Sequence, residues 1–92
     1  MDTIARYGGE EFCIVLPYTS SHQAYEIAER LRLAVSEILF YGEKKEPFQI
    51  TCSIGVYQLH SQVKEVNKIF GIVDAALYKA KNSGRNCVVV GP

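Results

Sequence analysis

This sequence is short of most features that announce a partner. Ten basic residues balance ten acidic ones, so no overall field draws in a nucleic acid polymer or an anionic membrane surface, and any anion site must be local. No apolar run approaches the length of a bilayer span, and the N-terminal MDTIARYGG lacks the apolar core of a signal peptide. This segment is therefore expected to make no membrane contact and to be cytoplasmic, any membrane tether of the parent protein lying elsewhere. Paired cysteines are lacking: Cys13, Cys52 and Cys87 are an odd set, far apart in sequence, that form no Cys-x-x-Cys pair and have no histidine at ligand spacing, which removes the usual zinc and redox signatures. Each lies in an apolar, strand-like run and reads as a buried small hydrophobe. His22 and His60 stand alone in polar contexts and read as solvated loop or helix-end residues. There is no internal repeat, low-complexity tract or linker, so residues 1–92 form one unit, near the size at which burial only just supports a fold.

What is present is ordinary globular chemistry, 48% hydrophobic and 22% charged, with clear periodicity. TIARY (3–7) and EFCIVL (11–16) are runs of strand-formers separated by Gly8-Gly9 and Glu10, the pattern of a β-hairpin. Both parities of EFCIVL are apolar, which predicts a strand covered on both faces. Ser20 with Gln23 three residues later predicts a capping box. Ala24, Ile27, Ala28, Leu31, Ala34, Val35, Ile38 and Leu39 then recur at helical spacing, predicting an amphipathic helix that ends near Gly42. GEKKEP is a polar turn, and the alternation from Phe48 to Tyr57 predicts one long strand. A second helix is predicted from about Lys64 to Ser83, capped by Gly84, before a last strand NCVVV over 86–90. The order β-β-α-β-α-β defines an α+β fold, with its helices expected on one face of the sheet.

The stretch RYGGEEF concentrates the chemistry. Gly8 and Gly9 suit a tight turn, but a bare backbone also admits a phosphate or ribose closer than any side chain would allow. Glu10 and Glu11 place two like charges at the same tip, a repulsion that a divalent cation relieves, since Mg²⁺ favours a few carboxylate oxygens together with substrate phosphates. The same residues read equally as a hairpin with two solvated glutamates. In LYKAKNSGRN, Lys81 and Arg85 lie four apart across a glycine cap, where a point charge and a fork suit phosphate oxygens. Their alternative reading is a helix C-terminus whose cations complement the dipole.

Three blocks give a resemblance to the GGDEF family of diguanylate cyclases over essentially the whole chain. They are ARYGGEEF (5–12), the Glu variant of the family signature; TCSIGV (51–56); and DAALYKAKNSGRN (74–86), with Val73 where the family has alanine. The resemblance implies a palm-like nucleotidyl cyclase fold with a mixed, largely antiparallel sheet. It also implies condensation of two GTP into cyclic di-GMP in bacterial second-messenger signalling, with Mg²⁺ or Mn²⁺ and a second GGDEF domain facing the first as a homodimer. Carried over by position, Gly8 and Gly9 approach the nucleotide and Glu10 binds metal and helps activate the attacking hydroxyl. Glu11 supports the metal, and Lys81 and Arg85 neutralise phosphates. In an inhibitory product site, Asp2 falls where the aspartate of an Arg-x-x-Asp motif belongs, its arginine preceding Met1; Arg30 matches a contacting helix arginine and reads equally as a solvated charge.

The family domain normally starts upstream with a strand bearing an Asp-x-Asp-x-Phe-Lys pattern and with helices that read guanine, and these are not in the sequence. Residues 1–92 are therefore expected to be the C-terminal portion of the domain, inactive alone, a fragment or a chain that completes its sheet through another. The alternative class is a non-catalytic GGDEF-like module that binds GTP or cyclic di-GMP as a regulator.

Overall fold

β1 (Thr3–Gly8) and β2 (Glu11–Val15) pair antiparallel at the start of the chain, as the run of strand-formers around the glycines predicts. The structure, a computed structural model, describes residues 3–60 and 65–92. The hairpin departs from expectation in its environment. Among the described residues the backbones of its two strands lie close to each other and to no other element, and Ile4 and Phe12 are 71% and 67% exposed. Within these residues, neither apolar face of EFCIVL is covered, because no layer lies over the hairpin.

Helix α1 (Ser21–Glu37) starts where the capping box predicts. The Gln23 amide donates to the Ser20 hydroxyl oxygen at 3.2 Å, and the Ser20 amide donates to Gln23 Oε1 at 3.0 Å. It ends sooner than the periodicity suggests, at Glu37, with Ile38 already extended. The physical reason follows immediately: Phe40 leaves the helix to stack on Phe48, ring centroids 5.4 Å apart. This pair closes a second small hairpin, β3 (Phe40–Tyr41) with β4 (Pro47–Phe48), around the polar GEKKEP turn. The long strand expected over 48–57 is correspondingly split. Gln49 turns aside to donate its side-chain amide to the Ser36 carbonyl at 2.9 Å, and strand geometry resumes only at β5 (Ile54–Val56).

Helix α2 (Val66–Asn82) crosses from β5 to β6 (Val88–Val90), which pairs parallel to it. The expected helix start at Lys64 lies outside the described residues. At the other end Gly84, with φ +105°, lets the Arg85 amide return to the Ala80 carbonyl at 3.1 Å, the outer bond of a glycine-terminated helix. The strand within NCVVV begins two residues later than predicted, at Val88.

The core sits between this parallel pair and the two helices. Ala28, Val56, Ala76 and Ala80 are its buried apolar residues among those described. Cys87 donates its thiol to the Ala80 carbonyl of α2, whereas its neighbour Asn86 reaches Arg32 of α1. Among the described residues α1 and α2 each pack on both strands, and they do not touch each other. The helices therefore flank β5–β6 from opposite faces rather than sharing one, as a parallel pair that must be covered on both sides requires. The cysteines sit here and in β2 as partly buried thiols; burial raises the Cys52 thiol above its ordinary value, with Arg32 opposing.

Gly55 sets how closely β5 meets α2. A Cβ at this position would stand 2.6 Å from the Leu77 amide nitrogen and 2.8 Å from the Val73 carbonyl oxygen, inside the contact distance of backbone atoms that cannot rotate away. Across the pair, α1 is tied down by Arg32, only 16% exposed in its side chain. Its guanidinium donates from Nε and Nη2 to the two oxygens of Glu29 at 2.8 and 2.9 Å, and from Nη1 to Asn86 Oδ1 at 2.9 Å. The hydrogen bond from Arg32 holds the Glu29 carboxyl below the ordinary carboxylate range, against a smaller opposing effect of burial.

The open arrangement has a measurable extent. The radius of gyration is 14.6 Å, against about 12 Å for a compact chain of this length. The accessible surface is 7169 Å², against about 5,400 Å² for a compact monomer of this mass.

Two outcomes follow. Gly55→Ala is expected to destabilise the protein by about 1–3 kcal/mol, the usual range for overpacking, read as a lowered urea midpoint at unchanged slope. Glu29→Gln is expected to lower the melting temperature near neutral pH. Because the folded pKa of Glu29 is depressed, its contribution is present above the ordinary carboxylate range and disappears as pH falls through the lower folded value. The gap in melting temperature between wild type and variant should close in acid.

Candidate functional site

The turn that joins β1 to β2 is Gly9–Glu10, one residue later than a Gly-Gly turn, and Gly8 closes β1 opposite Glu11. Gly9 carries φ +51°, which accounts for one glycine through backbone freedom. Arg6 Nε donates to the Gly9 carbonyl at 2.8 Å, and a register irregularity between Arg6 and Gly8 turns the tip. Gly8 has no such explanation. Its φ is not positive, and a Cβ placed on it would meet nothing within 4 Å. Nothing inside the described protein requires a bare backbone there.

The two glutamates separate in role. Glu10 stands exposed at the turn, and its carboxylate has no hydrogen-bond or ion-pair partner among the described residues. Glu11 opens β2 and points to α2, where Lys81 Nζ donates to Oε2 at 3.2 Å, the two side chains 39% and 33% exposed. These residues are 70 positions apart, and theirs is the ion pair that joins the hairpin to the rest of the described fold. Beneath it is an open recess of about 270 Å³ lined by Glu11, Asp74, Leu77, Tyr78 and Lys81. Arg85 lies just past the glycine cap with φ +61°, exposed and with its guanidinium unpaired among the described residues. The predicted phosphate-binding pair therefore divides: Lys81 reaches to the hairpin, and Arg85 stands free on the following loop.

Arg30 is exposed on α1 and has no polar side-chain partner among the described residues; Asp2 lies outside them. Sequence reasoning did not single out Asp74 and Tyr78, which share the α2 face of Lys81 at helical spacing. It also passed over Arg32, although a cation four residues after the buried Ala28, and three before the partly buried Val35, stands on the inward side of α1 and demands a partner. No cluster of three or more metal-binding side chains occurs among the described residues. Glu10 and Glu11 still fit a Mg²⁺ ion, which typically takes one or two carboxylates and completes its shell with water and substrate phosphates. Among the described residues no helix is long and apolar enough to cross a membrane.

Known proteins resemble this chain in sequence and in fold. The family described as diguanylate cyclase, GGDEF domain, matches residues 1–87. The chain is 42% identical over 91 residues to diguanylate cyclase A of Treponema denticola, covering 97% of this chain and 24% of that protein. It is 42% identical over 85 residues to diguanylate cyclase DgcP of Pseudomonas aeruginosa, covering 92% and 12%. Among solved structures, the active GGEEF domain of a diguanylate cyclase from Vibrio cholerae superposes with a TM-score of 0.88 at 37% identity, covering all of this chain and 57% of that one. The GGDEF domain of DgcB from Caulobacter crescentus, in complex with c-di-GMP, superposes with a TM-score of 0.84 at 27% identity, covering 97% and 51%. The chain thus spans a quarter or less of these curated relatives and a little over half of these solved domains. With its signature turn, its paired helices and strands, and a family match from end to end of the described site, the chain belongs to the GGDEF diguanylate cyclase domain family.

Proposed function

We propose that residues 1–92 are the C-terminal portion of a diguanylate cyclase domain that condenses two GTP molecules into cyclic di-GMP with release of pyrophosphate. The observation that carries this reading is the meeting of Glu11 and Lys81 at 3.2 Å, beside a glycine at position 8 that the protein itself does not need. An acidic tip suited to a metal and a cation suited to phosphate are thereby assembled from opposite ends of the chain around an open recess.

In this reading Gly8 and Gly9 let the nucleotide approach the backbone of the turn. Glu10, unpaired at the tip, holds the metal and helps to activate the 3′-hydroxyl that attacks the α-phosphate of the opposite nucleotide. Glu11 supports the metal site. It exchanges its contact with Lys81 when the nucleotide enters, which frees the ammonium for phosphate oxygens, and Arg85 adds a fork to the terminal phosphates. Mg²⁺ or Mn²⁺, when bound, supplies positive charge to the phosphates in the loose transition state of phosphoryl transfer. Two such domains face each other, each with one GTP, so the working unit is a homodimer of domains in the cytoplasm, where GTP is available. Asp2 and Arg30 are assigned to an inhibitory cyclic di-GMP site on positional grounds alone.

The test is formation of cyclic di-GMP from GTP and Mg²⁺, followed by chromatography with mass detection. The full-length protein is expected to make product and residues 1–92 alone to make none. Glu10→Ala should lower kcat by about 10²-fold or more, the usual size of a lost acid–base contribution. Lys81→Ala should weaken GTP binding while changing stability by less than about 1 kcal/mol, because a half-exposed ion pair contributes little to folding. No product from the full-length protein under enforced dimerisation would overturn catalysis and favour a regulatory module that binds GTP or cyclic di-GMP.

A further inference from the structure

The loop after α2 carries an unusual run of backbone. Gly84, Arg85 and Asn86 have φ of +105°, +61° and +49° in succession. Glycine accepts this region freely and asparagine tolerates it, but arginine does so at a cost. Such a conformation persists only where its surroundings over-determine it, and here the restraints are visible. Before Arg85, the chain is held by its own amide on the Ala80 carbonyl at 3.1 Å. After it, Asn86 is clamped twice: its amide donates to Ser53 Oγ at 3.1 Å, and its Oδ1 accepts from Arg32 Nη1 at 2.9 Å. The Arg32 guanidinium is itself fixed in a two-point fork on Glu29.

Two distant segments therefore converge on the residue that follows Arg85, α1 through Arg32 and the approach to β5 through Ser53, while the end of α2 holds the amide of Arg85 itself. None of these contacts touches the Arg85 side chain, which stays free to meet a ligand. We propose that Arg32, oriented by Glu29 and acting through Asn86, is a positioning residue that aims Arg85 at the terminal phosphate of the nucleotide. The inference rests on the functional reading above, in which Arg85 is a phosphate-binding cation. With Asn86 released, Arg85 relaxes out of the left-handed region and its guanidinium leaves the line of the phosphate, while contacts to the base, ribose and inner phosphates stay in place.

That distinction sets the experiment. Affinities of the full-length protein for GTP and for GDP, both with Mg²⁺, are measured for wild type, Arg32→Ala, Arg85→Ala and the double variant. Arg32→Ala is expected to reduce the preference for GTP over GDP on the order of tenfold, as loss of one charge-assisted contact does, with GDP affinity little changed. Arg85→Ala should show the same loss, and the double variant no more than Arg85→Ala alone, since residues acting through one another are not additive. Arg32→Lys, which keeps the charge without the fork, should recover only part of the preference. If Arg32→Ala does not fold, Asn86→Gly removes the Oδ1 acceptor while tolerating the left-handed backbone, and it should reproduce the loss.

Equal weakening of GTP and GDP in Arg32→Ala, or losses that multiply in the double variant, would mean a merely structural arginine and would overturn the inference. GTP binding that depends on Glu10 and Lys81, with an unchanged GTP preference in Arg32→Ala and Asn86→Gly, would overturn it while leaving the functional reading intact. A wild-type protein that does not bind GTP would overturn both.

Discussion

The close approach of β5 to α2 at Gly55 is the constraint on which the rest of the fold hangs. With no Cβ in the way, the backbone of Leu77 and Val73 lies directly over the strand, and Ala76 and Ala80 are drawn into burial, Ala80 to 0% exposure. Small residues make this tight seam possible, and a tight seam fixes the axis of α2. From that axis follow the direction of Lys81, one residue past Ala80, and the place where the chain must turn back at Gly84 to enter β6. Lys81 is thus positioned by a steric fact one turn back on its own helix, at Leu77.

Electrostatics acts within this frame through a small set of pairings. Arg32 would be costly on the inward face of α1 without partners, and Glu29 and Asn86 meet that requirement while joining α1 to the loop after α2. Lys81 and Glu11 meet at the edge, where partial solvation makes the pair weak in stability terms but easily exchanged. Glu10 and Arg85 are left unpaired among the described residues, one at each side of this arrangement. The strong contacts build the scaffold, and the weak or missing ones fall where a charged ligand would enter.

The hairpin that carries the signature illustrates the limit of local order. Its pairing and turn follow from short-range chemistry, yet its apolar faces remain open because nothing among the described residues packs on them. An open β-sheet edge with exposed Ile4 and Phe12 invites pairing with another strand or chain. The two solved relatives superpose over 100% and 97% of this chain, which covers 57% and 51% of theirs.

Much of this is legible in the order of the amino acids. The Ser20–Gln23 capping box, the hairpin around Gly8–Glu10, the glycine end of α2 and the order of the main elements all follow from residues that act on near neighbours. The three sequence blocks likewise point to Gly8, Gly9, Glu10, Glu11, Lys81 and Arg85 as the residues of interest. The failures share one cause: each turns on a pairing that periodicity along the chain does not read. Periodicity carries α1 past Glu37 because it cannot foresee Phe40 stacking on Phe48, and alternation predicts a strand through Gln49 to Ser53 where no ladder partner is present among the described residues. The sequence by itself determined local conformation and the chemical identity of the candidate site, since caps, turns and periodic faces are short-range. Only the tertiary structure decided that Lys81 meets Glu11, that the helices take opposite faces of β5–β6, and that Arg32 reaches Asn86, because those pairings are set by how elements pack and not by the order in which they occur.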